Sequence, residues 1–166
     1  FERKELSPWR TYRSKSTKYA KLKDQDDRIV AVAPVVLEDI MIITKNGYGL
    51  RFNIEEVPVV GAKAAGVKAI NLKDGDQVAA AFKSMTPSMY ILTQRGSLKR
   101  MLQDDIPVTS RAKRGLQVLR ELKNKPHRVF KAGPVFTDQG DFDLFTSQEE
   151  VQSKIKSFKS LPQQVR

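Results

Sequence analysis

Thr44, Gly47, Arg51, Pro58, Val59 and Gly66 return at a constant offset of 49 as Thr93, Gly96, Arg100, Pro107, Val108 and Gly115. The acidic pair Glu55-Glu56 returns as Asp104-Asp105, and Val57 is matched by Ile106, with no gap over 23 positions. A period near 50 marks one supersecondary unit stacked on copies of itself, each unit burying a face that its neighbour supplies. Residues 17–24 align with 67–74 at an offset of 50, so the chain opens in the later half of a unit. Val135-Phe136-Thr137-Asp138-Gln139-Gly140 resembles Tyr90–Gly96 with one residue fewer, and reads as the front of a further one. Two whole units flanked by two partial ones are expected.

Within a unit the short-range pattern is β. Ile40-Met41-Ile42-Ile43-Thr44 is β-branched and apolar, and Lys45-Asn46-Gly47 separates it from Tyr48-Gly49-Leu50-Arg51-Phe52. Asn-Gly between two such runs predicts a tight hairpin with both residues at positive φ in a type I′ turn. Met89–Thr93 followed by Gln94-Arg95-Gly96 repeats the device. A loop with the acidic pair and a proline then leads to Gly66 or Gly115, after which Val67–Leu72 and Leu116–Leu119 alternate as half-buried strands do. Asp74-Gly75 marks a turn, and Val78–Phe82 supplies a fourth strand. Four short strands per 50 residues describe one blade of an all-β, propeller-like array. Val151, Ile155 and Phe158 allow a short helix in a peripheral tail over residues 147–166, and the blades are placed near 40–88 and 89–134 within a region spanning 1–146.

Composition bounds the chemistry. There is no cysteine, which excludes disulfides and Cys-based zinc sites, and His127 is the single histidine, expected as a surface group; no metal or cofactor is expected. No apolar stretch approaches the ~20 residues of a membrane span, and residues 1–5 lack the form of a signal peptide. Gly47-Tyr48-Gly49 lacks the third glycine of a dinucleotide fingerprint. The net charge is +11, and from Arg95 to Lys131 eleven basic residues face three acidic ones. A polyanion is therefore the first partner to test.

Ile42–Phe52 (ITKNGYGLRF after Ile42) and Val59–Ile70 (VVGAKAAGVKAI) resemble blades of the C-terminal domain of the A subunit of bacterial type IIA topoisomerases. Ser110–Leu119 (SRAKRGLQVL) is similar to the matching segment of the topoisomerase IV A subunit in Gram-positive bacteria, and the likeness covers about residues 8–135. The resemblance implies a β-pinwheel, here a partial disc of about three blades, whose basic outer rim bends duplex DNA without itself cutting it. The strand-cleaving tyrosine of the family belongs to an upstream region, so no catalytic residue is expected among Tyr12, Tyr19, Tyr48 and Tyr90. The Gln-Arg-Arg-Gly-Gly-Lys-Gly type box of gyrase is not matched; Gln94-Arg95-Gly96 is its nearest string. Decatenation and relaxation are thus preferred over supercoil introduction, with the equivalent gyrase domain as an alternative.

The implied partners are double-stranded DNA, the ATPase B subunit and the rest of the A subunit, in the bacterial cytoplasm on the chromosome. Open blade edges also predict self-association. Candidate phosphate contacts are Lys45, Arg51, Lys63 and Lys68 in the first unit, with Arg95, Lys99, Arg100, Arg111, Lys113 and Arg114 in the second. Arg51 and Arg100 equally suit pairing with the acidic pairs inside each blade. A scaffold that binds an acidic protein through its basic face is the rival reading, and RNA binding ranks third because the aromatics do not form an exposed stacking set.

Overall fold

The computed structural model describes residues 1–5, 18, 20–35, 37–61 and 63–135. Among them lie β1 (Asp39–Thr44), β2 (Tyr48–Asn53), β3 (Val78–Lys83), β4 (Ser88–Thr93), β5 (Leu98–Leu102), β6 (Leu116–Gln117) and β7 (Val129–Val135), with single 3-10 turns at Ile54–Glu56 and Gln103–Asp105. All pairings between these strands are antiparallel, in two sheets ordered β3-β1-β2-β6 and β5-β4-β7. The all-β, propeller-like class expected from the repeat is what is observed.

The repeated Thr and Gly have a shared cause. In each hairpin the glycine N–H donates to the threonine carbonyl, at 3.0 Å for Gly47 and 2.9 Å for Gly96. The threonine hydroxyl accepts the N–H four residues on, at 3.1 Å from Tyr48 and from Ser97. Gly47 and Gly96 take φ of +87° and +81°, while Asn46 is not at positive φ. The connection is therefore not the expected type I′ turn but a longer loop with one left-handed residue, where glycine carries no Cβ penalty. Asp76, 7% exposed, replaces the second turn residue by accepting Asn46 N–H at 3.0 Å.

A strand that is apolar at successive positions must be covered on both faces. Ile40 and Ile42 pair with Phe52 and Leu50, and this face packs on Ile54, Val57 and Ile70 of its own unit. Met41 and Ile43 face the other way, onto Met89, Ile91, Ile106 and Val118 of the second unit. The two units are thus joined by a core that neither owns.

The fourth strand corrects the sequence expectation. Val67–Leu72 joins no ladder; instead Leu116 and Gln117, from the second unit, pair with Gly49 and Tyr48 of the first. Each unit gives three strands to its own sheet, and the first sheet borrows its fourth. Gly115 makes the exchange possible: at φ +87° it lies so close to β2 that a Cβ would run into the Gly49 carbonyl. Gly66 makes the same approach to the Phe1 carbonyl. Val135 is a second correction, since it ends β7 opposite Ser88 rather than opening a new unit. The expected tail and short helix lie outside the described residues.

Candidate nucleic-acid interface

Two of the ten candidate cations are turned inward. Arg51 shares the face of Met41, opposite which it pairs, and its guanidinium reaches Asp39 Oδ2 at 3.1 Å, Asp104 Oδ1 at 2.7 Å and the Gln103 carbonyl at 3.4 Å. Its acidic partner is thus the pair of the following unit, not Glu55-Glu56 of its own. Arg111 points back the other way. Its N–H donates to Glu56 Oε2 at 2.8 Å, its Nε to the Glu56 carbonyl at 3.2 Å and its Nη1 to the Lys68 carbonyl. Both arginines clasp one unit to the next.

Lys99 and Arg100 lie on β5, and the other candidates stand along connected loops. Lys45 and Arg95 are exposed at the two hairpin tips. Lys45 Nζ rests on Gln77 Oε1 at 2.7 Å, and Arg95 Nη1 on the Lys125 carbonyl at 3.1 Å beside His127. The tips are neighbours: Val129 N–H donates to the Lys45 carbonyl at 2.8 Å and Gln94 N–H to the Arg128 carbonyl at 3.0 Å. On the other side, Val118 N–H reaches the Gly47 carbonyl at 2.8 Å and Asn71 N–H the Lys113 carbonyl at 2.8 Å. Lys113 and Arg114 are exposed on a loop whose backbone is fixed by Arg111 and by Ala112 at φ +65°. Lys99 Nζ caps the Val118 carbonyl at 2.7 Å, leaving an exposed stem. Lys63 and Lys68 are exposed on the first unit's loop, Lys68 bonded to Asn71 at 2.8 Å. Arg100 is exposed opposite Tyr90, on the face of the second sheet turned away from Met89 and Ile91.

The structure adds cations that the repeat comparison missed. Lys73 sits 5.0 Å from the centre of the Tyr48 ring. Its hydrogen bond to the Tyr48 side chain, then electrostatic attraction to that group, hold its ammonium above the ordinary value, so it stays charged. Lys123 and Lys125 are exposed, and Arg128 half-buried, on the loop that supports the second hairpin tip. The local signal was present in the basic run from Arg95 to Lys131; what was missing is that this loop folds under Arg95. Tyr48 and Phe52 serve the core and its margin, whereas Phe130 is exposed. Among the described residues no group of His, Cys, Asp and Glu has metal-ligand geometry.

Stacked antiparallel units joined by a borrowed strand define a β-propeller-like domain, and residues 38–84 and 88–135 match the family model for the DNA gyrase C-terminal domain, beta-propeller, to which this chain belongs. The particular likeness is narrower. The chain is 65% identical over 148 residues to the A subunit of DNA topoisomerase 4 from Streptococcus pyogenes, covering 88% of this chain and 18% of that protein. It is 45% identical over 127 residues to the Bacillus subtilis protein of the same name, covering 75% of this chain and 16% of that protein. It therefore spans under a fifth of the length of these relatives. A crystal structure of the C-terminal domain of DNA topoisomerase IV superposes with a TM-score of 0.74 at 38% identity, covering 78% of this chain and 41% of that one. A DNA gyrase A C-terminal domain shares the fold, with a TM-score of 0.56 at 24% identity, over 60% of this chain and 34% of the other. No helix among the described residues is long and apolar enough to cross a membrane.

Proposed function

We propose that this chain is the non-catalytic, duplex-binding part of the A subunit of a bacterial topoisomerase IV, working in the cytoplasm with an ATPase partner and the breakage–reunion part of its own polypeptide. The observation that carries this reading is the linked row of cations at the hairpin tips and their supporting loops: Lys45, Lys73, Lys113, Arg114, Arg95 and Lys125. Spaced along connected tips and loops, such groups displace counterions from successive phosphates without reading bases. Bending 20–30 bp by 40–90° costs roughly 1–6 kcal/mol, so several contacts must act together. A rim that holds a bent segment is what decatenation and relaxation ask of an accessory module, since it presents a second duplex to the cleavage centre.

The test is binding of the chain to a long linear duplex across a salt series. Affinity is expected to fall steeply with salt, and Lys113→Glu with Arg114→Glu to flatten the log–log slope by about two, at roughly 0.9 per lost phosphate contact. Absence of binding at low salt, or an unchanged slope in the double variant together with specific capture of an acidic protein, overturns the reading in favour of a protein scaffold.

A further inference from the structure

The exposed cations Lys113 and Arg114 belong to the second unit by sequence, yet the backbone that presents them is held by the first. Arg111 N–H donates to Glu56 Oε2 at 2.8 Å, while its guanidinium donates to the Glu56 carbonyl at 3.2 Å and to the Lys68 carbonyl. Ala112 N–H donates to the Ala69 carbonyl at 2.7 Å, and Asn71 N–H to the Lys113 carbonyl at 2.8 Å. Between these anchors Ala112 takes φ of +65°, a left-handed conformation that residues with a Cβ rarely adopt. Local preference does not supply that shape, so the partners across the junction impose it.

The two loops, compared at the offset of 49, differ in one respect that bears on the role of these anchors. Arg111, Lys113 and Arg114 stand where the first unit has Ala62, Ala64 and Ala65. The anchoring arginine and the two presented cations therefore occur together in one loop and are together missing from the other. Among the described residues none of the three forms an ion pair, so their charge is left for an external anion. A mobile loop would surrender backbone freedom on meeting a phosphate, whereas a loop already held in shape does not.

We infer that Glu56 is a positioning residue for duplex binding: it carries the same sign of charge as the phosphates, yet it strengthens their binding by fixing the backbone from which Lys113 and Arg114 project. The inference rests on the duplex-binding reading above. Its signature is a matter of sign. A carboxylate near a phosphate backbone repels it, so electrostatics alone makes binding tighter whenever Glu56 loses its charge. Positioning makes binding weaker when the acceptor oxygen is lost as well. Duplex affinity is then also linked to the docking of the two units, because the bonds that shape the loop exist only across their junction.

The experiment compares the whole 166-residue chain with its Glu56→Gln and Glu56→Ala variants, by hydrogen exchange without DNA and by binding to a long linear duplex. Glu56 is exposed, and neither core includes it. Glu56→Gln keeps an acceptor for Arg111 N–H; it is expected to keep the Ala112 amide protected and to bind roughly twofold more tightly. Glu56→Ala is expected to speed exchange at Ala112 and Asn71 by about tenfold and to bind about fivefold more weakly. In a chain carrying Lys113→Gln and Arg114→Gln, the two Glu56 variants are expected to bind alike. Unchanged exchange at Ala112 in Glu56→Ala overturns the inference, as does binding by Glu56→Ala as tight as that by Glu56→Gln. A weakening that persists undiminished without Lys113 and Arg114 overturns it too, since Glu56 would then act on the fold in general. Absence of duplex binding by the parent chain at low salt is a separate failure: it removes the duplex-binding reading, while exchange at Ala112 still decides whether Glu56 shapes the loop.

Discussion

Replacing Arg51 by alanine separates a structural role from a phosphate-binding one. The bond to Asp39 spans 3.1 Å between side chains 15% and 19% exposed, which contributes about 1–2 kcal/mol. The bond to Asp104 is shorter, 2.7 Å, but ends on a carboxylate 88% exposed, so screening holds it below about 1 kcal/mol. The Gln103 carbonyl at 3.4 Å adds little. Arg51→Ala should therefore cost about 2 kcal/mol, or roughly 6 °C in Tm for a domain of this size. Thermal unfolding by circular dichroism measures it, and Asp39→Asn in a double-mutant cycle should recover about 1 kcal/mol of coupling. Because the guanidinium faces inward, duplex affinity and its salt slope should not change. A Tm within about 1 °C of the parent, together with a salt slope reduced by about one, would refute the clasp and return Arg51 to the rim.

Gly115→Ala forces a methyl to within 2.7 Å of the Gly49 carbonyl carbon at a φ of +87°; the left-handed backbone alone costs about 1–2 kcal/mol, and urea denaturation should show at least that loss with exposure of the Gly49 amide to exchange. Gln103 is 1% exposed and holds Ser84 Oγ at 2.5 Å, Thr86 Oγ1 at 2.8 Å and the Ser88 carbonyl at 3.3 Å, so Gln103→Ala should lose about 1–3 kcal/mol and speed exchange across 84–88; unaltered exchange there would show the network to be dispensable. Burial holds the Tyr90 phenol above its ordinary value of 10.0. The folded state keeps that proton more tightly, so the stability it confers is complete below 10.0 and is lost as pH rises through the raised value. An ultraviolet titration should show a late phase that Tyr90→Phe abolishes; simultaneous ionisation of all tyrosines near the ordinary value would contradict it.

How far the sequence reveals this molecule depends on the range of each interaction. The hairpins were legible because Thr44, Gly47, Thr93 and Gly96 act within four residues of themselves. The asparagine misled: Asn46 invites a type I′ turn, but Asp76, thirty residues away, supplies its hydrogen bond instead. Leu116-Gln117 was legible as a strand and misassigned to its own unit, because alternation records that a segment is half-buried and not which sheet buries it. The cations divide in the same way. Charge alone cannot distinguish Arg111, bound to Glu56 across the junction, from Lys113 two residues on. Equality of Arg51 and Arg100 within the repeat was the one clue that an arginine there serves the repeat itself.

The borrowed strand also sets an order on folding. Tyr48 finds its partner Gln117 only after more than a full repeat has been synthesised, and the core around Met41 and Ile43 waits for Met89 and Ile91. A single unit emerging from the ribosome therefore has an incomplete sheet and a bare apolar face, and gains both only when its successor arrives. Folding should proceed by pairwise completion along the chain, with each boundary as cooperative as the unit it joins.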